Sequence, residues 1–126
     1  SALEGVDIPF HLAYDANGDF IGAAVETFTN KGFSGNISLM VGILADGTVN
    51  NISVLQHAET PGLGSKMSEP SFKDQFNNKN ATSFNFNVKK DGGDVDAITA
   101  ATISSRAFCD AVNRAISTFE NNKGGF

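Results

Sequence analysis

Residues 96–122 read DAITAATISSRAFCDAVNRAISTFENN, and two local patterns meet inside that stretch. Small residues crowd its first part, which reads as a turn. From Ile103 onward, Ala107, Phe108, Ala111, Val112, Ala115, Ile116 and Phe119 recur at three- and four-residue spacing, the pattern of a helix with one buried face. Asn121, Asn122, Lys123 and Gly124 are suited to a C-terminal stop. A helix with one apolar stripe must cover something, and the segments before it read as strands.

The clearest of these is a hairpin. Ile37, Leu39, Val41 and Ile43 alternate through a strand spanning Asn36 to Leu44, Asp46-Gly47 closes the turn, and Ile52 and Val54 continue one face through Thr48 to Gln56. Upstream, a strand near Ile8 to Tyr14 and another near Phe20 to Thr29 flank a turn at Ala16-Asn17-Gly18-Asp19, and Lys31-Gly32 turns the chain again. Downstream, Ser71 to Phe76 reads as a short helix with Phe72 and Phe76 on one side. Asn77 to Ser83 reads as a loop, and Phe84 to Lys90 as a half-buried strand in which Phe84, Phe86 and Val88 alternate with polar residues before Gly92-Gly93-Asp94 turns the chain. The order predicts an α+β fold: one domain over residues 1–126, a mostly antiparallel sheet packed against helices, with no internal repeat.

Composition agrees. At 126 residues, 40 % of them hydrophobic and 11 of them Phe, the chain can bury a core for one domain. A formal charge of −5 with no Lys/Arg run argues against nucleic acid as a partner. Cys109 is the one cysteine, so no internal disulfide forms, and its place beside Phe108 suits a buried small hydrophobe. No apolar run approaches the roughly 20 residues that cross a bilayer, and no signal peptide opens the chain.

Several chemistries lack their residue sets. His11 and His57 are the only histidines and make no zinc site with a single cysteine, so no metal ligands are assigned. Asp15, Asn17 and Asp19 resemble the start of a calcium loop whose remainder is missing, and a hairpin turn accounts for them better. Ser65 and Lys66 follow a glycine loop without the order of a nucleotide-binding P-loop. No catalytic residue is assigned.

The hydroxyls at the start of the C-terminal helix remain. A helix N-terminus offers unpaired amides and the positive end of the macrodipole, so an anion could be held beside Thr102. On residue statistics alone, a cap at Thr99, Thr102 or Ser104 is the favoured explanation. Asp96, Ala97, Thr99, Ala101, Thr102, Ser104 and Ser105 bring in a further consideration. They match a motif that reads approximately Asp-Ala-x-Ser/Thr-Gly-Ala-Thr-x-Ser/Thr-Ser. The stretch resembles the flavinylation motif of the FMN-binding domain in the G-type subunit of Rnf electron-transport complexes and in the C-type subunit of sodium-pumping NADH:quinone oxidoreductase. Ala100 departs from it, standing where the family has glycine, the residue that takes a positive φ without penalty.

A second segment resembles the same family. His57 to Gly64 reads HAETPGLG, where Pro61 fixes one φ and Gly62 and Gly64 let the backbone approach a flat ring. The family carries a similar loop against its flavin. Lys31 to Ile37, KGFSGNI, is a third, weaker match.

The resemblance implies FMN joined covalently through its phosphate to Thr102, with Glu59, Thr60, Pro61, Gly62, Leu63, Gly64, Thr99, Ala100, Ala101, Ser104 and Ser105 around the cofactor. It implies an electron carrier, a redox subunit rather than an autonomous catalyst. Its partners would be other subunits of a membrane electron-transport complex and, during maturation, a flavin transferase that uses FAD. It implies a place on the extracytoplasmic (periplasmic) face of the cytoplasmic membrane, through an anchor that this chain lacks. His57 is then either a flavin neighbour or a strand-end residue, and Lys66 either a solvated lysine or a partner for negative charge on reduced flavin. Two other functions stay open: a flavin domain in a sensor or regulator, and a binding module without flavin in which Thr102 only caps its helix.

Overall fold

Four strands run in sequence order as an antiparallel meander, β3 (Phe10–Tyr14), β4 (Phe20–Gly32), β5 (Gly35–Leu44) and β6 (Val49–Gln56), after a two-stranded ladder of β1 (Ala2–Leu3) and β2 (Val6–Asp7). The structure, a computed structural model, describes residues 2–3, 6–7, 10–32, 35–59 and 64–122. Beyond the sheet lie a short helix α1 (Pro70–Lys73), 3₁₀ turns at Gly64–Ser68, Asp74–Phe76 and Lys89–Asp91, and the long helix α2 (Thr102–Asn122).

Local chemistry sets the turns. The Asp15 carboxylate accepts from the amides of Asn17 (2.8 Å) and Asp19 (3.0 Å), so the would-be calcium ligand is occupied in tying its own hairpin. In the β5–β6 turn Asp46 accepts from the Thr48 amide at 2.9 Å, while Gly47 takes φ +92°.

One face of the sheet packs on α2. Ile37, Leu39, Val41 and Ile43 from β5 are buried, as are Ala23 and Val25 from β4, against Ala107, Phe108, Ala111, Val112, Ala115, Ile116 and Phe119 of the helix. Alanines on the inward stripe let helix and sheet approach closely enough for two buried threonines of β4 to bond to α2. The Thr27 hydroxyl donates to the Ala111 carbonyl (2.9 Å) and that of Thr29 to the Asp110 carboxylate (2.7 Å). At one end Phe108 meets Phe72 and Phe76, each with ring centroids 5.0 Å away, and Phe76 stacks on Phe86 at 6.0 Å. This aromatic cluster holds α1 and its 3₁₀ extension against the first turns of α2.

Two expectations are corrected. Phe84 to Lys90 is not a strand, although its alternating burial is as expected. Asn85 and Asn87 bond locally, the Asn87 amide donating to the Asn85 side chain at 3.1 Å, and the chain folds back so that Val88 forms only an isolated parallel bridge with Val95. Lys31-Gly32 does not turn the chain, because β4 continues through Gly32 past an irregularity in its pairing with β5. Val49 joins Ile52 in the core three positions away because a register shift at Gly42/Ile43 resets the two-residue alternation. Of the first predicted strand, Ile8 and Pro9 lie outside the described residues.

Cys109 is 1 % exposed, and burial pushes its thiol up to about 12 from an ordinary value of 9.0. The unfolded thiol ionises first as pH rises, so this group's contribution to stability is complete below about pH 9 and is lost between there and about pH 12. Cys109 is therefore expected to resist alkylation at pH 8 in the native protein and to react on adding denaturant. Equal labelling rates in both states would contradict its burial.

Candidate functional site

The motif turn lies between the aromatic cluster and the N-terminus of α2. The Ser105 amide donates to the Ala101 carbonyl at 3.0 Å, which makes Ala101 the residue capping the helix and Thr102 its first helical residue. Alanine has no side-chain oxygen to return to the amides of the first turn. The hydroxyls nearby divide into two pairs. Ser105, fully buried, accepts from the Ile98 amide (2.9 Å) and donates to the Ala101 carbonyl (2.8 Å), pinning the turn from inside. Ser104, 3 % exposed, donates to the Glu59 carboxyl at 2.5 Å. Thr99 is exposed and Thr102 half-buried, and neither hydroxyl bonds to another described residue. None of the three threonine or serine side chains suited to capping acts from the capping position.

Ala100 occupies φ +62°. An L side chain in this left-handed region costs roughly 1–2 kcal/mol, which is why glycine suits the position. Ala100→Gly is expected to stabilise the domain by about 0.5–1 kcal/mol, after allowing for the extra freedom of glycine in the unfolded chain, and to raise Tm by a few degrees in a thermal melt. A lower Tm would show that the turn does not need a positive φ.

The second motif segment meets the first through Glu59 and Gly64. Glu59 is 4 % exposed, and its amide donates to Nδ1 of His57 at 3.0 Å, so the half-buried histidine closes the strand end onto its own loop. Gly64 is buried, and a Cβ there would overlap the Ser104 hydroxyl and the Glu59 side chain. Glu59, Gly64 and Ser104 thus form one packed knot joining the two segments. Thr60, Pro61, Gly62 and Leu63 lie outside the described residues.

A groove of about 280 Å³ opens beside the motif, lined by Lys66, Ser71, Phe72, Gln75 and Asp96 to Thr99. Gln75 is a site residue that the sequence does not announce. Its side chain donates to the Asp96 carbonyl (2.9 Å) and accepts from the Asp96 amide (2.8 Å), gripping the motif's first residue at both backbone groups as a strand partner would. A glutamine in a polar stretch between two phenylalanines carries no spacing signal that predicts this grip. Asp96 is further paired with Lys89 at 2.8 Å, and that contact raises the lysine's pKa. Ile103, 49 % exposed beside Thr102, is an apolar surface that the helical periodicity does not assign to the site.

The donor set fits a phosphate-bearing ligand: an open helix start, a hydroxyl on its first residue that bonds to no described residue, and a groove at hand. Residues 32–117 match the model of the FMN-binding domain. The chain belongs to that family. It is 44 % identical over 114 residues to the G-type subunit of an ion-translocating oxidoreductase complex of Aliivibrio fischeri, covering 86 % of this chain and 54 % of that protein. It is 37 % identical over 110 residues to the G-type subunit of a Na⁺-translocating ferredoxin:NAD⁺ oxidoreductase complex of Acetobacterium woodii, covering 84 % and 53 %. The chain therefore spans about half the length of these relatives. The crystal structure of Shewanella oneidensis NqrC shares the fold, with a TM-score of 0.59 at 20 % identity over 91 % of this chain and 60 % of that one. As an FMN-binding domain, the chain has FMN as its family's cofactor. Among the described residues, no helix is long and apolar enough to cross a membrane.

Proposed function

We propose that FMN is attached through its phosphate to the hydroxyl of Thr102, and that the domain serves as an electron carrier in an ion-translocating oxidoreductase complex of the Rnf type. The observation that carries the assignment is the division of hydroxyls. Ser104 and Ser105 are consumed by Glu59 and by the turn itself, whereas Thr102, the first residue of a helix capped by alanine, is half-buried and its hydroxyl bonds to no described residue. Names of the relatives support the setting, since they are subunits of ion-translocating oxidoreductase complexes.

Attachment needs one displacement. The Thr102 oxygen attacks the flavin-side phosphorus of FAD, AMP departs with the other phosphate, and the hydroxyl proton leaves to solvent or to a separate flavin transferase. The phosphodiester keeps one negative charge, favoured by the first-turn amides and the macrodipole of the 21-residue helix. Bound FMN supplies the redox chemistry, accepting and releasing electrons at its ring. The protein's part is placement. Ser105 holds the turn, Gln75 holds Asp96, and Ser104 of the helix meets both Glu59 and Gly64. A covalent tether keeps the carrier loaded while the ring meets successive partners. This function carries with it partner subunits on either side of the flavin and a position on the extracytoplasmic face of the cytoplasmic membrane.

The test is coexpression with and without a flavin transferase, followed by flavin fluorescence in a denaturing gel. Fluorescence is expected to travel with the protein only when the transferase is present. A non-fluorescent band with a demonstrably active transferase would leave the domain without its covalent cofactor.

A further inference from the structure

Lys66 is set apart by its surroundings. It lies on the 3₁₀ turn that follows the Glu59–Gly64 segment and lines the groove opposite Asp96 to Thr99. Within that groove the charges are unequal in their engagement. Asp96 is answered by Lys89 at 2.8 Å, whereas Lys66 makes no ion pair with a described residue, unlike Lys31, Lys73 and Lys89. Charged neighbours on the adjoining elements do not cancel it. Lys73 and Asp74 pair with each other at 3.7 Å, Glu59 is buried against Ser104, and Glu69 is exposed outside the lining. Among the described residues, the groove therefore presents one positive charge without an ion-pair partner, in a chain of net charge −5.

Resting on the assignment of FMN to Thr102, we propose that Lys66 sets the reduction potential of the bound flavin by stabilising the negative charge of its reduced form. Two electrons and one proton convert neutral oxidised flavin ring into a monoanion; the electrons come from a low-potential donor, dithionite in the test below, and the proton from water. A cation in a partly enclosed groove interacts more strongly with that anion than it would in bulk solvent, and has no comparable attraction for the neutral oxidised ring. The potential is thereby raised. Because the reduced ring is neutral when a second proton is bound, the effect is larger on the alkaline side of neutrality than on the acid side.

The experiment uses flavinylated wild-type domain and the variants Lys66→Gln, Lys66→Glu and Lys66→Arg, each checked by intact mass for one FMN and titrated with dithionite against reference dyes. Lys66 is exposed, and none of the changes removes a packed group. Lys66→Gln is expected to shift the two-electron equilibrium about tenfold toward the oxidised form, which is about 30 mV. Lys66→Glu is expected to shift it further in the same direction, and Lys66→Arg to restore the wild-type value. The gap between wild type and Lys66→Gln should widen from acid to alkaline pH. Coincident potentials for all four flavinylated proteins would overturn the role of Lys66. An absence of FMN from the wild-type mass would instead overturn the attachment on which it rests.

Discussion

Thr102→Ala is expected to abolish covalent flavin completely, while Thr99→Ala, three residues earlier in the same turn, leaves it in place. The contrast is sharp because neither hydroxyl bonds to a described residue and both lie within the motif, yet only Thr102 belongs to the helix whose first amides favour a phosphodiester. Removing the Thr102 side chain takes away the nucleophile, for which no neighbour substitutes. Ser104 is buried on Glu59, and Ser105 is buried inside the turn. Stability should hardly change in either alanine variant, since neither hydroxyl bonds within the described fold. Intact mass after coexpression with the transferase reads the outcome. Residual FMN on Thr102→Ala at wild-type level would move the attachment elsewhere.

Phe108→Ala is expected to be the most damaging single change to the fold, lowering the free energy of unfolding by about 3–5 kcal/mol. Phe108 is fully buried and touches Phe72 and Phe76 at once, and Phe76 passes the contact on to Phe86. Truncation leaves a cavity at the junction of α1, α2 and the segment leading to the motif turn. Surrounding rings cannot collapse into it without pulling on backbone held by Gln75 and Ser105. Since small domains are stable by only about 5–15 kcal/mol, the variant should melt far below wild type or fail to accumulate. Urea unfolding monitored by circular dichroism measures the difference. A loss below about 1 kcal/mol would mean the cluster is loosely packed.

The periodic elements are legible in the sequence because periodicity reports burial directly. Every apolar position read on the α2 face, from Ala107 to Phe119, is in the core, and so is each of the alternating residues of β5. Legibility fails where pairing rather than burial decides the structure. Phe84 to Lys90 has the burial alternation of a strand, but the Asn85 side chain accepts from both the backbone amide and the side-chain amide of Asn87, and no ladder forms. The register shift that carries Val49 into the core has no counterpart in residue type. At the site, the turn and the helix start follow from the small residues and the periodicity after them, whereas the proximity of the two motif segments follows from the resemblance to the FMN-binding family. Glycine at the position of Ala100 in the motif makes a positive φ foreseeable, and φ +62° is what the turn adopts. The grip of Gln75 on Asp96 could not be read, because a side chain that replaces a strand partner leaves no trace in spacing.

In the function proposed, one hydroxyl, that of Thr102, carries the flavin. Its most direct test is fragment mass spectrometry of the wild-type domain after coexpression with a flavin transferase, reading the residue that bears the added mass. An increase of one FMN less one water is expected, confined to fragments containing Thr102. The same mass on fragments that contain Thr99, Ser104 or Ser105 but lack Thr102 would contradict it.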